Sequence, residues 1–343
     1  AFESFGNSRF ISIGGWINAI IPILIVPYYS VIGGWVIKYL IEYFAGHSKT
    51  LAGDAYFTTF ISNGWSTEIC FIIFTLFTLG IIYAGVRNGI ERVSKFMMPI
   101  LIVLSLIIAV YSVTRPGAIE GVKYFLVPNF DHFSWMTVVS AMGQMFYSLS
   151  IAMGILITFG SYMKKDTSIE KSTENVEIFD TAIAIMAGLM IIPAVFAFSG
   201  GNAETLKSGP ALMFITIPKV FANMGFGTAI GVVFFLLVLF AAVTSSIALT
   251  ESAVSTFEDE LHWSRKKSTV FMGMVMLLLG TLSCLGYGPL ANFKILGMQF
   301  LDFFDFITNS VMMPIAAIAT CLLVSKVVGV DKIEEEIKKD GQA

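Results

Sequence analysis

The sequence predicts an all-α integral membrane protein, on three observations. Of its 343 residues, 56% are hydrophobic and 14% aromatic, against only 13% charged, and the mean hydropathy of +0.81 lies well above the range of soluble domains. Apolar runs long enough to cross a bilayer recur from end to end, giving about eight helices. One of those runs is broken by a polar, glycine-flanked stretch, Gly143-Gln144-Met145-Phe146-Tyr147-Ser148-Leu149-Ser150-Ile151-Ala152-Met153-Gly154.

The first run, Phe10 to Ile37, contains Pro27, which kinks a helix and frees backbone groups. Tyr28-Tyr29 follow it, and Ile25 lies one turn before Tyr29 on the same face. The second and third runs, Ile69 to Val86 and Phe96 to Val113, are joined by the tight connector Gly85-Val86-Arg87-Asn88-Gly89. The fourth, Trp135 to Met163, holds the break. At bilayer depth, irregular backbone is tolerated only where protein or a water-filled cavity satisfies it, so the break predicts a binding cavity. A single hydroxyl in a membrane helix ordinarily bonds a carbonyl one turn back, but Gln144, Ser148 and Ser150 fall within seven residues between two glycines. Glycine-interrupted apolar segments are the best sequence pointer to a substrate and ion site.

The fifth run, Asp180 to Phe198, opens on a carboxylate. At the centre of a membrane helix such a group costs roughly 2.5 to 3.5 kcal/mol and faces a partner or a cavity; at the interface it would be an N-terminal helix charge. Ser199 to Pro210 then forms a polar loop, and Ala211 to Met224 is apolar but too short and broken to span, so it reads as a cap lying on the helices. In the sixth run, Thr228 to Thr256, residues Ala241, Thr244, Ser245, Ala248 and Leu249 share one helix face. That face fits close helix packing or a hard monovalent cation, which prefers oxygen ligands. Glu251, one turn further, predicts a proton or water contact. After Leu261-His262-Trp263-Ser264-Arg265-Lys266-Lys267 come the seventh run, Thr269 to Gly286, and the eighth, Phe306 to Val328, before a charged, solvated tail, Asp331 to Asp340.

With a cytoplasmic N-terminus, the inside connectors carry 14 of the 21 basic residues, as the positive-inside rule asks. The basic residues are spread over loops and form no single stripe, so no nucleic-acid partner is expected. Cys70, Cys284 and Cys321 have no paired spacing and read as ordinary buried residues. His47, His132 and His262 all fall in loops, so neither a serine protease dyad nor a histidine-ligated metal can be assembled in the membrane, and the chain reads as no enzyme. No repeat of short pore loops points to a channel. The opening Ala1 to Arg9 has no initiator Met and no signal peptide, so the chain reads as cut rather than processed.

Three motifs in order, Gly143 to Ser150, Phe240 to Leu249, and Phe257-Glu258-Asp259-Glu260-Leu261 before Ser264-Arg265-Lys266, resemble the neurotransmitter:sodium symporter family, its bacterial branch. The resemblance implies a partial inverted-repeat transporter fold that starts just before the family's third helix and ends after its tenth. It implies residues 1–343 as one transporter domain: 1–131 the rest of a first repeat, 132–329 a second five-helix repeat, 330–343 a cytoplasmic tail. It also implies sodium-coupled symport of an amino acid by alternating access, in a bacterial inner membrane, with sodium and the amino acid as the small-molecule partners.

Carried over residue by residue, one sodium site would use the Ala241 carbonyl with Thr244 and Ser245, and another Ser148 with Asp180, where relatives commonly have Asn. Chloride-dependent relatives hold an anion near residues matching Gln144 and Ser148; the Asp180 carboxylate would replace it, implying chloride-independent transport. The substrate pocket would comprise Ile25, Tyr29, Tyr147, Ser148, Ser150, Met153, Ser245 and Leu249, with Tyr29 on the substrate carboxylate, Tyr147 as an aromatic lid and an apolar side-chain compartment. Asp305 matches the outer gate, and Asp259 with Tyr162 the inner gate. A proton-coupled permease using Asp180 or Glu251, a non-transporting substrate sensor and an inactive fragment stay open beside this reading.

Overall fold

The computed structural model describes residues 9–164, 167–200 and 209–339. The opening residues 1–8, Lys165 and most of the polar loop before Gly209 lie outside the described residues. The helices are α1 Arg9–Phe44, α2 Ser48–Leu51, α3 Tyr56–Ser62, α4 Gly64–Tyr83, α5 Arg92–Val113, α6 Ala118–Leu126, α7 Trp135–Ser148, α8 Ile155–Ser161, α9 Ile169–Ser199, α10 Ile217–Ala222, α11 Gly227–Leu261, α12 Arg265–Leu285, α13 Phe300–Asp305, α14 Met313–Leu322 and α15 Val330–Lys339. Wider π turns precede α5 at Val86–Glu91 and α10 at Leu212–Thr216, and π segments continue α13 and α14 at Phe306–Met312 and Leu323–Val328.

Among the described residues, seven helical stretches are long and apolar enough to span. The expected eighth, Trp135 to Met163, is instead two short helices, α7 and α8. Backbone that leaves the helix at membrane depth needs this division. The fifth span begins at Ile169 and not at Asp180, because its first turns are charged and project beyond the apolar zone while staying helical; Ser168 caps them, accepting from the Lys171 N–H at 3.3 Å. The last span likewise starts at Phe300.

The hub is α1. Its most apolar window is 67% buried, against 28% for the α9 window, and α11, α4, α12 and α14 all pack on it. Aromatic residues build the hub's upper part: Trp35, Tyr39 and Tyr43 are almost fully buried, and Tyr39 and Tyr43 both stack on Phe235 of α11 at 5.3 Å. The apolar segment after Gly209 is a packed cap. Its Phe214 stacks on Phe57 at 5.2 Å, meets Trp35 edge-on, and offers its carbonyl to the Tyr39 hydroxyl at 2.8 Å. Cys70 and Cys284 are buried as expected, but Cys321 is exposed, on the outer face of α14.

Candidate functional site

The break occupies a narrower stretch than the flanking glycines outline. Gly143, Gln144, Tyr147 and Ser148 remain helical, and α7 ends at Ser148. The Ile151 N–H donates to the Phe146 carbonyl at 2.9 Å and the Ser150 N–H to the Tyr147 carbonyl at 3.1 Å, the paired pattern of a Schellman C-terminus. Its left-handed position, where glycine is usual, holds Ser150 at φ 56°, and Ala152 follows at φ 63°. Each non-glycine residue held there costs about 1–2 kcal/mol. Outliers of this kind persist at sites where the conformation is used.

Gly154, at φ 72°, closes the break. A Cβ there would meet the Asn18 carbonyl of α1 and Ser252 Oγ of α11, both at 3.1 Å. Gly154→Ala is therefore expected to destabilise the protein by about 1–3 kcal/mol, read as a lowered melting temperature in detergent. An unchanged melting curve would show that the hinge relaxes freely.

Ser148, the last residue of α7, donates its hydroxyl to Asp180 Oδ1 at 2.6 Å. Asp180 lies eleven residues into α9, about 16 Å from its start, so it is a mid-helix carboxylate and not an N-terminal helix charge. The carbonyl end of α7 adds partial negative charge beside this pair. Gln144, one turn earlier, is exposed and has no hydrogen-bond partner among the described residues; it stays outside the Ser148–Asp180 pair. On α11, Thr244 turns its hydroxyl back to the Phe240 and Ala241 carbonyls, at 3.1 and 3.0 Å, which is the ordinary habit of a helix hydroxyl. The same bond sets the Thr244 and Ala241 oxygens side by side, with Ser245 exposed next to them.

Ile25, Met153 and Leu249 are all buried in one apolar cluster. Tyr29 of α1 is partly buried and packs against the same cluster. Tyr147, in the last turn of α7, is 37% exposed. Asp305 is engaged on its own side of the bundle: it accepts from the Tyr28 hydroxyl at 3.2 Å and from Asn309 Nδ2 at 2.6 Å. Tyr28 and Asn309 are functional neighbours that the sequence reading did not assign, although Asn309 at i+4 from Asp305 was a findable signal. Nearby, Tyr287 donates to Asp302 at 2.9 Å; burial, with the Asp302 charge beside it, pushes the Tyr287 phenol above its usual range.

At the opposite end, a cavity of about 450 Å³ is lined by Asn18, Gly154, Thr158, Tyr162, Glu258 and Asp259, among others. Tyr162 and Asp259 thus share a wall, but the Tyr162 hydroxyl donates to Glu251 at 2.7 Å and not to Asp259. Glu251 is fully buried and forked by Arg265 at 3.0 and 2.5 Å. Arg265 Nε also caps the Ile82 carbonyl at 3.0 Å. Glu251 is thus held in an ion pair with Arg265.

Hydroxyl, carbonyl and carboxylate oxygens beside a helix break suit a small hard cation, and the apolar cluster beside them suits an uncharged side chain. The sodium:neurotransmitter symporter family matches residues 42–341 of the chain. The sodium-dependent transporter YhdH of Bacillus subtilis is 33% identical over 332 residues, covering 96% of this chain and 73% of that protein. A sodium-dependent transporter of Haemophilus influenzae is 30% identical, covering 98% and 73%. The crystal structure of MhsT in complex with L-phenylalanine superposes with a TM-score of 0.82 at 33% identity, covering 98% of this chain and 75% of that one. By sequence and by fold, the chain belongs to the sodium:neurotransmitter symporter family.

Proposed function

We propose that this member of a sodium-coupled symporter family moves an apolar or aromatic α-amino acid without chloride, by alternating access, across a bacterial inner membrane with its basic-rich face cytoplasmic. The observation that carries the reading is the 2.6 Å bond from Ser148 to Asp180, one residue before the break. Donating that proton leaves the Ser148 lone pairs free for a cation, and Asp180 brings a fixed negative charge to the place where an anion would otherwise be needed. A first sodium ion would be held by Ser148 and Asp180, a second by the Ala241 carbonyl with Thr244 and Ser245. Ile25, Met153 and Leu249 would receive the substrate side chain, with Ser150 at the break and Tyr147 as lid. Tyr29 would bond the substrate carboxylate. The L-phenylalanine in the MhsT structure supports a substrate of this class.

Asp305 and its Tyr28–Asn309 support would form the outer gate, Asp259 and Tyr162 the inner one, within a single domain whose break opens the second repeat. Uptake of labelled L-phenylalanine and L-leucine into liposomes tests the coupling. Replacing external sodium by N-methyl-D-glucamine is expected to abolish uptake, whereas replacing chloride by gluconate leaves it unchanged. Loss of uptake in gluconate would refute the role of Asp180 as built-in anion. Uptake driven by a proton gradient without sodium would favour the permease reading, with Asp180 as the proton carrier because Glu251 is already paired with Arg265.

A further inference from the structure

The turn between α11 and α12 carries a pocket that neither gates nor ion sites use. It has a volume of about 430 Å³ and is lined by Trp263, Lys266, Lys267, Val270, Phe271 and Met274, with Ser264 at its mouth. Its wall is apolar and faces outward: Val270 and Met274 are each 57% exposed, one turn apart on α12, and Phe271 meets Trp263 edge-on at 5.3 Å. Its rim is cationic. Lys267 Nζ sits 3.9 Å from the Trp263 ring centre, and Lys266 Nζ lies 5.7 Å from the Tyr83 ring at the end of α4. Neither amine is within ion-pair distance of an acid among the described residues, unlike Arg265, which pairs with Glu251 and Glu258. The nearby acids Glu258, Asp259 and Glu260 line the other cavity. Ser264 heads α12 without a side-chain cap, so first-turn N–H groups are open beside the lysines.

We propose that this pocket binds an anionic phospholipid, its phosphate between Lys266, Lys267 and the start of α12, and its upper acyl chain along Val270, Phe271 and Met274. Charge complementarity selects the anionic head group. The outward apolar wall at the end of a spanning helix selects a lipid over a soluble phosphate, and Trp263 is the ring type that settles at this depth. Because the rings hold both amines in place, little ordering is left to the binding event.

Trp263 is also the reporter. In liposomes containing phosphatidylglycerol or phosphatidylcholine brominated on the acyl chain, the quenching assigned to Trp263, by difference from Trp263→Phe, is expected to favour phosphatidylglycerol by roughly tenfold or more in half-quenching mole fraction, since each lysine near a bilayer surface contributes a sizeable preference for anionic lipid. Lys266→Gln/Lys267→Gln is expected to abolish the preference, and Lys266→Arg/Lys267→Arg to keep it. Lys332→Gln/Lys338→Gln, the same charge change on the tail, is expected to leave it intact and so controls for net charge. Equal quenching by both lipids, or a preference that survives in Lys266→Gln/Lys267→Gln, would overturn the proposal. So would competition by millimolar inorganic phosphate strong enough to erase the lipid preference, which would make this an aqueous anion site. Sodium-dependent substrate binding by each variant, measured in parallel, confirms that it is folded.

Discussion

Asp180→Asn is expected to lower the apparent sodium affinity of uptake by about ten- to one-hundredfold and to make uptake chloride-stimulated. Hydrogen bonds and contacts to a charged group contribute roughly 1.5–3 kcal/mol, and every 1.4 kcal/mol is a factor of ten. The amide keeps the shape of the carboxylate and can still meet Ser148, so the variant removes charge and little else. Folding should be spared, because Asp180 is half-buried and its hydrogen bond to Ser148 is the one it makes among the described residues. Size-exclusion profile and melting temperature are the controls. Ser148→Ala, which leaves the carboxylate in place, is expected to cost less sodium affinity and to leave uptake indifferent to chloride. Wild-type sodium dependence in Asp180→Asn would remove the carboxylate from the ion site altogether.

The spans were legible because hydropathy reports the part of a helix that lies in lipid. The same fact explains the misplaced ends. Residues 169–179 are charged and helical at once, so a hydropathy reading ends the span at Asp180 and turns a mid-helix carboxylate into a plausible interfacial one. The break was legible as a composition anomaly, but its geometry was not. Gly143 reads as its upper edge, yet it sits on an open helix face with nothing within 4 Å of a would-be Cβ, while the residues that actually leave the helix are Ser150 and Ala152, at positive φ without being glycine. No propensity flags a residue whose conformation is imposed by its surroundings.

Pairings across helices were the least legible. The resemblance supplied Ser148 and Asp180 as neighbours, and the structure places them 2.6 Å apart. It offered nothing for Tyr28 on Asp305, a contact spanning 277 positions. Glu251 shows the limit most plainly, since its partner Arg265 is 14 residues away and reaches it only because His262, at φ 51°, lets α12 fold back along α11.

Glu251→Ala is accordingly expected to destabilise the protein by about 3–5 kcal/mol, the usual cost of leaving one member of a buried ion pair uncompensated. Arg265, with a side chain 22% exposed, would keep only the Ile82 carbonyl and a 3.6 Å approach to Glu258, and Tyr162 would lose its acceptor. The double variant Glu251→Met/Arg265→Met removes both charges and should recover much of that loss, so a double-mutant cycle on melting temperatures in detergent should show strong coupling. Two independent, additive losses would mean that the pair is not the stabilising unit. The same cycle separates structure from transport. If Glu251 carried a coupled proton, Glu251→Gln would fold normally and lose the pH dependence of uptake. As the anchor that holds Arg265 against α4 and Tyr162 against α11, it should instead lose stability in Gln as well as in Ala, with the pH profile of whatever uptake survives unchanged.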